Sequence, residues 1–274
     1  MDKNDTSGHV AELKGRLRVR LLQLSSRVLY ALSGRRRESD RILADLKGAY
    51  SGKRIFIVCN GPSLKAEDLT RIHENGDISI ASNRITGIFG STPWRPTFYT
   101  VLDGGLQYSL LDVMNEVPAR VKLFRENSFV TTRHVTSPTV WLKACGDRSL
   151  LETPKFSENI DEVIYTIGTV TYAMFQMAAY MGIREMYIIG CDNSYAIERD
   201  KNGNIINKGG QSYFKGSIPP PPKSTTISNT WEFNIAYAHA AEYAAAHGLK
   251  IYNATRGGHL EAFPRVDFDS LFDK

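Results

Sequence analysis

The sequence predicts an α/β fold, Rossmann-like, with a mostly parallel sheet and helices on both of its faces. Three observations carry this expectation. From Lys53 onward, short β-rich runs end in glycine or polar residues. Helix-length apolar stretches separate those runs, the alternation expected of βαβ units. No apolar run approaches the roughly 18–20 residues a bilayer span needs, so the chain reads as one main globular domain.

The N-terminal stretch is distinct. Residues 1–50 hold eleven Lys and Arg against six Asp and Glu, whereas the remaining residues balance, so the net charge of +5 is all N-terminal. Val10, Leu13, Leu17, Leu21, Leu24, Val28 and Leu32 recur at steps of three and four, one face of a helix. A basic amphipathic helical region over 1–50 is therefore expected, and residues 51–274 form the main domain. With Arg35, Arg36 and Arg37, the stretch 10–37 suits contact with an anionic membrane surface; packing against the main domain or a second subunit of a homo-oligomer is the alternative. Nucleic acid is not an expected partner, because the main domain carries no basic excess. Cys59, Cys145 and Cys191 are widely spaced and are expected to be buried thiols in a reducing cytoplasmic compartment.

In order, strands are expected at Arg54–Cys59, Asp77–Ala81, Thr97–Leu102, Val121–Phe124, Met186–Ile189 and Lys250–Tyr252, and helices at Ser63–His73, Thr169–Tyr180 and Thr230–His247. Asp200–Ser228, with KNGN, KGG and Pro219–Pro222, reads as a long loop, and Tyr213 and Phe214 make it a candidate lid. In parallel sheets of this kind ligands bind at the strand carboxyl ends, and three segments place polar residues there.

In IFIVCNGPSL a strand runs into Asn60, Gly61, Pro62 and Ser63. Glycine admits a ligand to the backbone and the following helix N-terminus suits phosphate, although Ser63 as an ordinary N-cap reads equally simply. Next come Asn83 and Arg84 after ISIAS, and Asp103 after FYTVL. An amide at such a place can read a base or ribose, and a carboxylate can hold a hydroxyl, a metal or a sugar. In the third segment Gly168 and Thr169 open an apolar helix, which leads to a strand ending at Gly190, Asp192 and Tyr195. A tyrosine hydroxyl there can donate a hydrogen bond to a departing phosphate.

NGPSLK at Asn60–Lys65, SNR around Asn83 and GIREMYIIGCD at Gly182–Asp192 together resemble the bacterial CMP-sialic-acid-dependent sialyltransferases. They also resemble the flagellin and surface-polysaccharide glycosyltransferases and the related 6-hydroxymethylpterin diphosphokinases. The resemblance spans about residues 53–195 and IYNATRGG. It implies that Asn60, Gly61 and Asn83 hold a nucleotide, that Thr169 lies near phosphate and donor sugar, and that Tyr195 hydrogen-bonds the leaving phosphate. Where those sialyltransferases carry a histidine base this chain has SYFKGS, so the base is sought in Asp103 or His259, and Tyr213 becomes an acceptor or phosphate contact. The expected function is transfer of a sugar from a nucleotide donor, CMP-linked and sialic-acid-like, to a surface glycan or glycolipid such as lipopolysaccharide at the inner face of the membrane, with no cofactor required. The alternative is pterin diphosphokinase-like transfer of pyrophosphate from ATP, with Mg2+ held by Asp103 and Asp192.

Overall fold

The computed structural model describes residues 32, 34–126, 135, 138–217 and 227–273. The expected stripe up to Val28 and the prolines 219–222 lie outside the described residues. Helix α1 (Gly34–Leu46) is followed by β1 (Arg54–Val58), α2 (Ala66–Glu74), β2 (Ile78–Ser82) and β3 (Phe98–Val101). Short helices α3 (Gly104–Ser109) and α4 (Leu111–Glu116) lead to β4 (Val121–Arg125) and β5 (Thr139–Leu142), then to the two-residue pair β6 (Ala144–Cys145) and β7 (Ile164–Tyr165). The second half contains α5 (Val170–Tyr180), β8 (Glu185–Ile189), β9 (Ile197–Arg199), β10 (Ile205–Asn207), α6 (Thr230–His247) and β11 (Lys250–Asn253).

Seven strands form one sheet in the order β11-β8-β1-β2-β3-β4-β5, and every pairing in it is parallel. This is the Rossmann-like α/β architecture expected. Strands such as RIFIV and EMYII are apolar along their length because both sheet faces are covered. Alternate side chains feed two cores: Ile55 and Ile57 meet α5 and α6, whereas Phe56 and Val58 meet Leu69, Tyr99 and Phe268. Helix α5 is mostly apolar and almost wholly buried, while α6 turns Ala236, Ala240 and Ala244 inward.

All six expected strands are present, within a residue or two of their expected bounds. The sheet also has a seventh, β5, whose TVWL run is only four residues long. Helix α1 packs beside it: Trp141 N–H donates to Ser39 Oγ at 2.8 Å, and Leu43 and Leu46 are buried. The expected loop Asp200–Ser228 is corrected in part, since β10 folds back antiparallel on β9. Cys59 and Cys191 are buried, but Cys145 is only half-buried. No helix among the described residues is long and apolar enough to cross a membrane.

Because the strands are parallel, their carboxyl ends share one edge. The chain leaves β1 toward β2 on one side and later adds β8 and β11 on the other, so the crossovers diverge beside β1 and open a crevice there. At that edge Arg256, just after β11, clamps α2 and the C-terminal turn: its guanidinium donates to buried Asp68 at 2.9 Å and to Asp269 at 2.9 Å. Arg256→Met leaves Asp68 without its partner and is expected to cost about 1.5–3 kcal/mol. Urea unfolding checks this, as a lower midpoint at unchanged slope.

Candidate functional site

The crevice is built first on β1. Asn60 Nδ2 donates to Ser82 O at 3.1 Å, which ties the end of β1 to the end of β2. Its Oδ1 is buried with no partner. Gly61 N–H donates to Gly190 O at 2.8 Å, and Ser63 donates to Asp192 Oδ2 through both its backbone N–H at 3.1 Å and its hydroxyl at 2.8 Å. Ser63 is therefore not an N-cap. Helix α2 begins only at Ala66, its N-cap Lys65 has no side-chain acceptor to make a cap bond, and Ser63 is held by a carboxylate on β8's exit. A Cβ on Gly61 would stand 2.1 Å from Asp192 Oδ2 and 2.7 Å from Gly190 O, so no larger residue fits there without displacing that junction.

On either side of this junction the backbone is strained. Asn83 (φ 55°) and Asn193 (φ 51°) are the non-glycine residues with positive φ among those described, and they follow β2 and β8. Asparagine tolerates that region better than most residues, yet such strain concentrates where a site requires it. Tyr99 OH donates to Asn83 O, and Asn193 Nδ2 donates to Asn234 Oδ1 at 2.8 Å.

The third wall is the start of α5. Gly168 (φ 68°) turns the chain, and its missing side chain leaves room for the Phe233 ring 3.1 Å from where a Cβ would lie. Thr169 then caps α5 through Thr171 N–H at 3.3 Å. Its hydroxyl is 3.4 Å from Tyr237 OH, which lies 3.6 Å from Cys191 Sγ, so this wall connects to the exit of β8. Burial holds the Tyr237 phenol protonated.

Tyr195 packs between Tyr213 and Phe233, with ring centroids 6.5 and 5.9 Å away. Burial first, and then the neighbouring Cys191 and Tyr213, push its phenol far up, so it remains a neutral hydrogen-bond donor. Tyr213 is also raised by burial, partly offset by the charge of Arg84, which places that buried arginine nearby. The segment after Tyr213 lies against the crevice: Phe214 is buried and its N–H donates to Asn60 O at 3.1 Å. Buried oxygens without a partner gather along the same edge, on Asn60, Thr86, Thr100, Asn193 and Ser217. Buried polar groups are rarely left unpaired, and such groups clustered at one edge mark a place for a polar ligand.

The region from residue 35 to 198, more than half of the chain, matches the family described as 6-hydroxymethylpterin diphosphokinase MptE-like. The chain belongs to the MptE-like family. Its fold is similar to that of the MAf glycosyltransferase from Magnetospirillum magneticum AMB-1, with a TM-score of 0.52 and 16% identity. That likeness covers 89% of this chain but only 40% of the other. No curated protein matches the sequence. The family match thus falls on the pterin diphosphokinase branch of the resemblance and the structural match on its glycosyltransferase branch.

In this MptE-like chain Asn60, Gly61, Pro62, Ser63, Asn83, Arg84, Gly168, Thr169, Gly190, Asp192 and Tyr195 all belong to the loops at the carboxyl edge of the sheet around β1. His259 joins them, its N–H donating to Asp192 O at 2.8 Å. Asp103 does not. It is exposed at the end of β3 and caps α3 by accepting from Leu106 N–H at 2.7 Å. The expected pairing of Asp103 with Asp192 around one ion is corrected by strand order: β1 and β2 separate their strands. Three lateral steps of about 4.8 Å put those ends roughly 14 Å apart, too far for one ion whose ligands lie at about 2 Å.

Residue-by-residue reading missed Glu198 and the polar start of α6. Buried Glu198 accepts from Tyr195 N–H at 2.9 Å and from Lys208 Nζ at 2.9 Å. Burial alone would raise its carboxyl, but these bonds outweigh it and hold the group below its ordinary value. The available signal was NTWEFN, which sets Trp231 and Asn234 three residues apart on one helical face.

Two outcomes are expected. Gly61→Ala overpacks the junction and costs about 1–3 kcal/mol, read as a lowered thermal midpoint. Because the folded-state pKa of Glu198 is depressed, its stabilisation is present above the ordinary glutamate pKa of about 4.3 and is lost as pH falls through the lower folded value. Thermal melts of the wild type and of Glu198→Gln should therefore differ at neutral pH and converge in acid.

Proposed function

We propose that this crevice binds a nucleotide-sugar donor and that the protein is a glycosyltransferase. The observation that carries this reading is the convergence of unpaired buried polar atoms, led by Asn60 Oδ1, with a helix N-terminus and a neutral phenol at one strand edge. In this reading Asn60 and Asn83 hold base and ribose, and Gly61 lets the Asp192 carboxylate close on the turn that carries Asn60. Thr169 with the first turn of α5 receives the phosphate. The donor is CMP-linked and sialic-acid-like, and the acceptor is a surface glycan or glycolipid. The basic stretch 10–37 would hold the enzyme against an anionic membrane at its inner face.

In the reaction, the bond between the anomeric carbon and the phosphate oxygen breaks and its electron pair leaves on the phosphate. Tyr195 donates a hydrogen bond to that oxygen as charge grows. The acceptor oxygen bonds to the anomeric carbon while its proton passes to a base. His259, beside Asp192, takes that role in preference to Asp103, whose carboxylate is occupied as a cap on β3's side of the sheet.

Titration calorimetry with CMP, UDP, GDP and ATP tests the reading, and failure of every nucleotide to bind would sink it. Asn60→Ala should weaken binding by up to about tenfold. Tyr195→Phe should lower kcat by about 10²–10³ with little change in KM. Turnover that survives a chelator separates this reaction from magnesium-dependent pyrophosphate transfer.

A further inference from the structure

A second cavity adjoins the crevice. It has a volume of about 530 Å³ and lies between the β9–β10 hairpin and the start of α6, with Asn193, Trp231, Asn234 and His259 among its lining residues. That size falls within the range of small-molecule sites, about 300–1,000 Å³. Asp192 joins the two spaces: its carboxylate faces Ser63 in the crevice, its carbonyl binds the His259 backbone, and Asn193 is the next residue.

The chemistry of the lining is specific. Trp231 Nε1–H is a buried donor without a partner, and Asn193 Oδ1 is a buried acceptor without one. Asn193 is fixed by the bond its Nδ2 donates to Asn234 Oδ1 at 2.8 Å. On the hairpin wall Glu198 is paired with Lys208 at 2.9 Å and Asp200 accepts from Asn202 and Asn204 within its own turn, while Arg199 and Lys201 add two exposed cations. An anion offers only acceptors and cannot satisfy Asn193 Oδ1. A hydroxyl is both donor and acceptor, so neighbouring hydroxyls on a sugar ring satisfy the indole N–H and the amide oxygen together. An indole also offers a flat apolar face for the C–H groups of a pyranose ring.

The geometry points to this cavity as a subsite for a neutral pyranose, the acceptor sugar whose hydroxyl is presented beside His259. The acceptor role rests on the donor reading given above; carbohydrate binding itself does not. The acceptor hydroxyl gives its proton to the His259 imidazole and its oxygen forms the new bond to the donor's anomeric carbon, while the phosphate departs with the electron pair of the bond that breaks.

Saturation-transfer NMR on the full chain, with the methyl glycosides of glucose, galactose, mannose and N-acetylglucosamine as probes, tests the subsite. At least one glycoside should receive saturation. Trp231→Phe, which keeps an aromatic ring but lacks the N–H, and Asn234→Ala should each weaken that binding about two- to tenfold. Nucleotide affinity, measured separately by calorimetry, should be unchanged in both variants. No glycoside signal from the wild type, a signal indifferent to both variants, or binding of a Ser/Thr-containing peptide in place of the glycosides would overturn the inference and leave the donor reading standing. Glycoside binding that depends on Trp231 in a protein that takes no nucleotide would uphold the carbohydrate site and remove the transferase reading instead.

Discussion

The contact on which the crevice depends is the one between Ser63 and Asp192, residues 129 positions apart in the chain. A carboxylate from the exit of β8 takes two hydrogen bonds from the turn after β1, and Gly61 has no side chain to keep it away. The turn is thereby held against its neighbouring strand. Asn60 is left at the lip, with its amide nitrogen committed to Ser82 O and its oxygen unpaired. With the Gly61 N–H bond to Gly190 O and the contact of Cys59 Sγ with Thr171 Oγ1 at 3.4 Å, this junction sets the amide in a fixed relation to the start of α5.

The electrostatics follow from the same economy of charge. Asp192 is hydrogen-bonded, Glu198 is neutralised by Lys208, and the nearby Tyr195, Tyr213 and Tyr237 are kept protonated by burial. Beside the charge of Arg84, the walls offer mainly fixed dipoles: an amide, phenols, a threonine hydroxyl and backbone N–H groups. Such groups do not reorganise as charge moves, which is the property wanted where a phosphate gains charge on leaving. No cluster of three or more His, Cys, Asp or Glu suited to a metal is found among the described residues.

Much of the fold was legible because buried parallel strands read as unbroken apolar runs closed by polar or glycine residues, as RIFIV and EMYII do. The TVWL run of β5 was passed over although it is as long as the expected Val121–Phe124. The β9–β10 hairpin was hidden because its second strand, exposed along its whole length, lacks the alternation that marks a half-buried strand. In the site, local rules lost to distant partners. Ser63 has the chemistry of an N-cap but is claimed by Asp192, and Asp103 looked like a neighbour of Asp192 because strand order is not written in chain order. Trp231 and Asn234 were readable as helix and unreadable as a wall, since the hairpin opposite them had not been foreseen.

The departures from local regularity share a location. Asn83 and Asn193 hold positive φ without being glycine, and Asn60, Asn193 and Ser217 keep buried oxygens unpaired, all along one edge of a sheet whose interior is otherwise orderly. A fold tolerates such costs, on the order of 1–3 kcal/mol each, where the surrounding structure over-determines them. Asn193 bears both kinds at once, and it is the residue through which the crevice passes into the second cavity. The hydrogen bonds of Asp192 with Ser63 and His259 and of Asn193 with Asn234 hold the two spaces in a fixed relation, so in the proposed reaction the donor carbon and the acceptor hydroxyl would meet without a separate motion to align them.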